Sequence, residues 1–164
     1  MRLHPPLVLL VALAAGSALL PAAAAAQFRG GRGVTGLTAG LRGGRDFENH
    51  AWSTGAQLGL PLGSRLELRP SGDYYLGDTT PFRWQLNADA AVRLGPGRSV
   101  YGGGGAAFTR VLPLSATKTG YNLFFGVDLA PPRALSKPFV EFRWTFVNDT
   151  SPFRLVLGFS RLLR

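Results

Sequence analysis

The feature that most limits what this chain can become is a period of two. From Phe82 to Leu94, the residues Phe82, Trp84, Leu86, Ala88, Ala90, Val92 and Leu94 interleave with Arg83, Gln85, Asn87, Asp89, Ala91 and Arg93. Successive strand side chains point to opposite faces, so this segment presents one apolar and one polar face. Wound as a helix, it would scatter Arg83, Trp84 and Asn87 around the cylinder with no coherent stripe.

Other stretches repeat the design. Leu37, Ala39 and Leu41 alternate with Gly36, Thr38, Gly40 and Arg42; Trp52, Thr54, Ala56, Leu58 and Leu60 alternate with Ser53, Gly55, Gln57 and Gly59. Leu66 and Leu68 flank Glu67, with Arg69 following. Tyr121, Leu123, Phe125, Val127 and Leu129 alternate with Asn122, Phe124, Gly126 and Asp128. Val140, Phe142, Trp144 and Phe146 alternate with Glu141, Arg143 and Thr145, and Phe153, Leu155, Leu157 and Phe159 with Arg154, Val156, Gly158 and Ser160. Val100 to Val111 is glycine-rich, and its phase is read with Tyr101, Ala107, Thr109 and Val111 on the apolar face. Eight strands result. The joints after the second, fourth and sixth are Pro61–Ser64, Gly95–Arg98 and Pro131–Ser136, rich in turn formers. The other joints, Gly43–His50, Ser71–Pro81, Leu112–Lys118 and Asn148–Pro152, carry Asp, Asn, Thr and Tyr. Turns at one end and longer loops at the other describe an all-β, antiparallel, up-and-down barrel over 34–164.

Ahead of it, residues 1–26 read as a cleavable signal peptide. Arg2 opens it, Leu7–Leu20 is apolar, Pro21 breaks the run, and Ala22–Ala26 supply a small-residue cleavage site before Gln27. The alternative, a membrane-anchor helix over Leu7–Ala26, is disfavoured by Gly16, Pro21 and the alanine tract. Residues 27–33 read as a flexible lead-in.

Eight alternating strands close in one of two ways, with the apolar face inward around a ligand or outward against lipid. Three features select the second, a transmembrane barrel. First, Trp52, Phe82, Trp84, Tyr101, Tyr121, Phe142, Trp144, Phe146, Phe153 and Phe159 lie mostly towards strand ends of the apolar face, as interfacial girdles do. Second, the polar face mixes small residues with opposite charges: Glu67, Asp89, Asp128 and Glu141 against Arg69, Arg83, Arg93, Arg110, Arg143 and Arg154. Lys occurs only at 118 and 137. The planar arginine fork pairs well with carboxylates where water is scarce. Such a charged lumen would fill a barrel this narrow. Glu141 and Glu67 are each expected to pair with an arginine, Arg143 and Arg69 being the nearest in sequence. Third, charge is sorted by end. The turn-side rim holds Arg29, Arg32, Arg65, Arg98, Arg133, Lys137, Arg161 and Arg164, whereas Asp46, Glu48, Asp73, Asp78 and Asp149 are placed in the loops. A basic rim suits anionic head groups.

At this point the chain resembles the small eight-stranded outer-membrane proteins of the OmpX and OmpA-transmembrane-domain type. Beyond the rhythm above, the resemblance rests on Gly59-Leu60-Pro61-Leu62-Gly63, Tyr101-Gly102-Gly103-Gly104-Gly105 and Pro138-Phe139-Val140-Glu141-Phe142-Arg143-Trp144. It implies a monomer in the outer membrane of a diderm bacterium, with outer-membrane lipids, lipopolysaccharide and the barrel-assembly machinery as partners. Such proteins usually end on an aromatic residue that this machinery reads. Here the chain ends Phe159-Ser160-Arg161-Leu162-Leu163-Arg164, so Phe159 is expected to take that part. No peptidoglycan-binding domain is expected after the eighth strand.

Composition narrows the chemistry. There is no cysteine, which excludes disulfides, thiolate-held metals and a thiol nucleophile. The net charge of +9 does not signal nucleic-acid binding, because the basic residues divide between one rim and the lumen with no basic stripe. Gly102–Gly105 is no phosphate loop, lacking the Lys-Ser/Thr ending. No catalytic residue, cofactor or metal site is expected. The runner-up reading is a lipid A-modifying enzyme using His50 and Ser53, with Asp46 and Glu48 to orient the histidine. A third is a secreted soluble barrel around an apolar ligand. The external contact expected on composition is the acidic, tyrosine-bearing stretch with Asp73, Tyr74, Tyr75 and Asp78. The expected role is non-enzymatic: envelope integrity, adhesion or loop-mediated recognition.

Overall fold

A computed structural model describes residues 36–77, 80, 82–111, 116–131, 134–147 and 150–163. The expected signal peptide (1–26), the lead-in (27–33), Asp78, Arg133, Asp149 and Arg164 lie outside the described residues.

Each alternating stretch forms a strand: β1 (Thr38–Asp46), β2 (Ala51–Pro61), β3 (Leu66–Leu76), β4 (Phe82–Leu94), β5 (Val100–Val111), β6 (Ala116–Asp128), β7 (Ser136–Phe146) and β8 (Phe153–Leu162). Every strand pairs antiparallel with its sequence neighbours, and β1 pairs with β8 from Thr38↔Leu162 to Asp46↔Arg154, so the sheet closes and no edge is left. The strands run 9 to 13 residues, enough for tilted strands to cross a hydrocarbon layer. The turn between β4 and β5 is made by Gly95 and Arg98 in the left-handed region, with φ of 69° and 53°.

The faces are sorted as a membrane barrel requires. Leu41, Leu68, Leu86, Val92, Leu123, Phe125, Phe142 and Leu157 stand exposed on the outside, while Asn87, Asp89, Asn122, Glu141, Arg143, Thr145 and Arg154 are buried within. A soluble core would invert that order.

Three strands depart from the sequence reading. β3 does not stop at Arg69 but runs on to Leu76, so Ser71–Leu76 is strand rather than loop. Pro70 hid this, since it lacks an N–H. The ladder to β2 breaks there, between Gln57↔Ser71 and Leu60↔Leu68, while the ladder to β4 continues through Pro70↔Ala88. β1 likewise extends through Gly43–Asp46. In β5 the phase is the reverse of that expected: Tyr101, Ala107 and Thr109 are buried in the lumen and Phe108 is exposed. A run of four glycines has no side chains from which a phase could be set.

The fourth departure is a β-bulge. Phe82 pairs with Val111 and Trp84 with Arg110, so Arg83 is an extra residue in β4. An inserted residue shifts the alternation by one. Phe82 therefore points inward, 5% exposed, against Tyr75 and Ala51, and not into a lipid-facing girdle. Arg83 is thrown out of the lumen to the exposed outer face.

Candidate functional site

The lumen is built in layers from the turn end upward. Glu67 on β3 sits between two arginines, with Arg69 Nε donating to Oε1 at 2.9 Å and Arg93 Nη2 to Oε2 at 2.9 Å. Arg93, on β4, also reaches Asp128 Oδ2 on β6 at 2.6 Å. The Arg69 guanidinium lies 3.9 Å over the Tyr101 ring and 3.6 Å from Glu141 Oε2. The Tyr101 hydroxyl donates to Glu141 at 3.3 Å. Room for that ring comes from Gly126 on the neighbouring strand, where any Cβ would collide with it.

Midway, Arg143 is shared by two carboxylates, Glu141 Oε1 at 2.9 Å and Asp89 Oδ2 at 2.6 Å, and its guanidinium stacks 4.7 Å from the Phe124 ring. Asp89 also accepts from Asn122 Nδ2 at 3.0 Å, and Asn122 Nδ2 donates to Asn87 at 2.8 Å. Thr145 Oγ1 donates to Asn122 at 2.8 Å. Asn87 then links upward to Asp73 at 3.3 Å.

In the loop half, Asp73 is gripped by Arg42 through Nε at 2.8 Å and Nη2 at 2.6 Å, and by Arg154 Nη1 at 3.2 Å. Arg154 also lies 5.4 Å from the Tyr75 ring, whose hydroxyl donates to Gln85 at 2.9 Å. Tyr75, Phe82 and Ala51 close the stack with an apolar cluster, against which Val111 packs. Nearby, Asp46 accepts from the backbone N–H groups of Glu48 and Asn49 at 3.0 and 2.9 Å and so shapes the β1–β2 loop.

Of the residues expected in the lumen network, Glu67, Arg69, Asp89, Arg93, Asp128, Glu141, Arg143 and Arg154 lie in these layers. Arg83 and Arg110 do not. The bulge turns Arg83 outward, and the reversed phase of β5 puts Arg110 on the lipid side of its strand. Sequence reasoning missed Arg42 and Asp73. Arg42 already stood on the polar face of the first stretch, with Gly40, and was left out of the network, whereas Asp73 shares the parity of Glu67 and Arg69 once that stretch is continued past Pro70. Asp73 and Tyr75 are consequently no external contact, being buried in the lumen, and Asp46 is buried on β1 and not free in a loop. Tyr74 faces outward, with Arg83 5.3 Å over its ring.

The outer wall is aromatic mainly at the loop end. All three tryptophans, Trp52, Trp84 and Trp144, lie in the loop half with the outward tyrosines Tyr74 and Tyr121. Phe146 stacks on Tyr121 at 4.6 Å, and Phe153 on Phe142 at 6.2 Å. The turn half is aliphatic, with Leu66, Leu68, Val92, Leu94 and Leu129 exposed beside Phe125 and Phe159. His50, the candidate base, is exposed in the β1–β2 loop with φ of 50°, whereas Ser53 is buried on the lumen face of β2, and no hydrogen bond joins them. A recess of about 10 Å³, lined by Thr38, Ala134, Leu135, Lys137, Ser160 and Leu162, is room for about one water.

No protein-family model and no curated protein matches the sequence. Solved structures do. The N-terminal β-barrel domain of OprF from Pseudomonas aeruginosa aligns over 80% of this chain and 100% of that one, with 18% identity and a TM-score of 0.66. The de novo designed TMB2.3 covers 84% and 99% at 14% identity with a TM-score of 0.56. A structure from the de novo design of transmembrane β-barrels covers 79% and 96% at 12% identity with a TM-score of 0.53. At these identities the likeness speaks for architecture alone: the chain has the fold of the small eight-stranded transmembrane β-barrels.

Proposed function

We propose that the protein is a monomeric barrel of the outer membrane of a diderm bacterium, exported by a cleaved signal peptide over 1–26 and inserted by the barrel-assembly machinery. Its work is non-enzymatic. The closed barrel is a rigid, filled post in the envelope, and its loop end meets lipopolysaccharide and external partners. The observation that supports this most is the sorting of side chains, with leucines and aromatics exposed outside and a connected ion-pair network filling the inside. A barrel that carried an apolar ligand would need an apolar interior, and this lumen holds arginines, carboxylates and amides instead.

The test is a heat-modifiability gel on fractionated cells, with matched unboiled and boiled samples. A faster unboiled band in outer membranes is the expected result. A single unshifted band in the soluble periplasmic fraction would overturn the reading. Mass spectrometry of lipid A from cells with and without the protein tests the non-enzymatic part, with identical acylation expected.

A further inference from the structure

We propose that Arg83 and Arg110 form a binding site for a lipid phosphate on the outer wall of the barrel, at the loop-side membrane interface. The proposal rests on the outer-membrane reading above, because it needs the loop end to lie in a leaflet of phosphorylated head groups.

The bulge is the first support. A regular β4 would send Arg83 into the lumen and Phe82 into lipid. The inserted residue does the reverse, and it sets Arg83 beside Trp84, which pairs with Arg110 on β5. Bulges at barrel rims characteristically re-aim one side chain. Here the re-aimed group is a permanent cation.

Depth is the second. Tyr74, Trp84, Arg110 and Thr117 form one cross-strand row over β3, β4, β5 and β6. Neighbouring strands lie about 4.8 Å apart, so the row runs about 14 Å along the wall, with Trp84 and Arg110 side by side at its middle. Tyrosine and tryptophan settle at the level of the head groups. Their presence in the row places both guanidinium groups where lipid phosphates are, and not in the hydrocarbon.

Charge is the third. Every described strand carboxylate points into the lumen: Asp46, Glu67, Asp73, Asp89, Asp128 and Glu141. Among the described residues neither Arg83 nor Arg110 has an ion-pair partner, and the Arg83 guanidinium lies 5.3 Å over the Tyr74 ring. Arginine is costly on a lipid-facing wall unless it snorkels to, or binds, an anion. The two guanidinium groups flank Trp84, Arg83 towards Tyr74 on β3 and Arg110 on β5, and with the Thr117 hydroxyl at the end of the row they offer several donors to phosphate oxygens. The ligand class is a phosphorylated glycolipid head group such as the lipid A of lipopolysaccharide.

The experiment compares the folded full-length barrel with R83Q/R110Q and R83K/R110K in detergent, titrating diphosphorylated and fully dephosphorylated lipid A and reading retained lipid by native mass spectrometry. Folding is checked for each variant by the unboiled gel shift. The wild type is expected to retain the phosphorylated form at least about tenfold better than R83Q/R110Q, with R83K/R110K between them, and to show no such preference for the dephosphorylated form. Equal retention by wild type and the folded R83Q/R110Q variant would overturn the proposal, as would equal retention of both lipids by the wild type. A protein without a heat-modifiable membrane form would overturn the outer-membrane reading itself, which separates the two failures.

Discussion

Asp73 shows what a single residue carries in this lumen. It compensates two buried arginines at once, Arg42 and Arg154, and links them to the amide layer through Asn87. Removing one partner of a buried ion pair leaves an uncompensated charge and costs about 3–5 kcal/mol. Asp73→Asn keeps the shape and removes the charge, so it is expected to lower the unfolding free energy, read from urea titration of the barrel in micelles, by an amount in that range. Glu141→Gln takes charge from Arg143 and Arg69 together and is expected to lower the unfolding temperature in detergent. An unchanged melting curve would mean that this pairing contributes nothing. Both acids illustrate how residue-level legibility varies. Glu141 and Arg143 are two apart on an unbroken alternation, so their common face was readable. Asp73 has the same parity relative to Glu67, but Pro70 stands between them and made the strand look finished.

At the level of the strand, glycine and the bulge decide what the alternation leaves open. Gly126 clears the Tyr101 ring, so Gly126→Ala overpacks the lumen and is expected to cost about 1–3 kcal/mol. Gly97, with nothing near its missing Cβ, should accept alanine within about 0.5 kcal/mol, and paired denaturation curves of the two variants check the contrast. Deleting Arg83 should be tolerated too, since the strand then becomes regular with Phe82 still inward against Tyr75. The deletion variant is expected to keep its gel shift and near-wild-type melting while losing phosphorylated-lipid retention. Unfolding of this variant would show that the bulge serves the fold instead. Strand number and order were legible from periodicity alone, whereas the choice of outward face also needed the aromatic placement, the arginine–carboxylate lumen and the sorting of charge by end. Strand ends, the phase of β5 and the bulge were not, because proline, glycine and an inserted residue each erase the local period by which a face is recognised.

For the molecule as a whole, the filled interior makes a measurable statement about transport. Successive layers of arginine, carboxylate and amide groups occupy the lumen from Arg93 to Tyr75. In planar bilayers the wild-type barrel is expected to give no sustained conductance above background, and stable single-channel steps would contradict the plugged lumen. The outer wall has a different consequence. Its tryptophans and tyrosines are gathered at the loop end and its turn end is mostly aliphatic. Such a wall is held differently at its two surfaces, by aromatic rings at the loop end and by basic residues such as Arg65 and Arg161 at the turn end. When the surrounding bilayer thins or thickens, the rings should keep the loop rim at its depth, while the long arginine stems at the turn end snorkel and take up the mismatch. Changes in membrane thickness are thus expected to register at the turn end, while the loop end keeps a constant height.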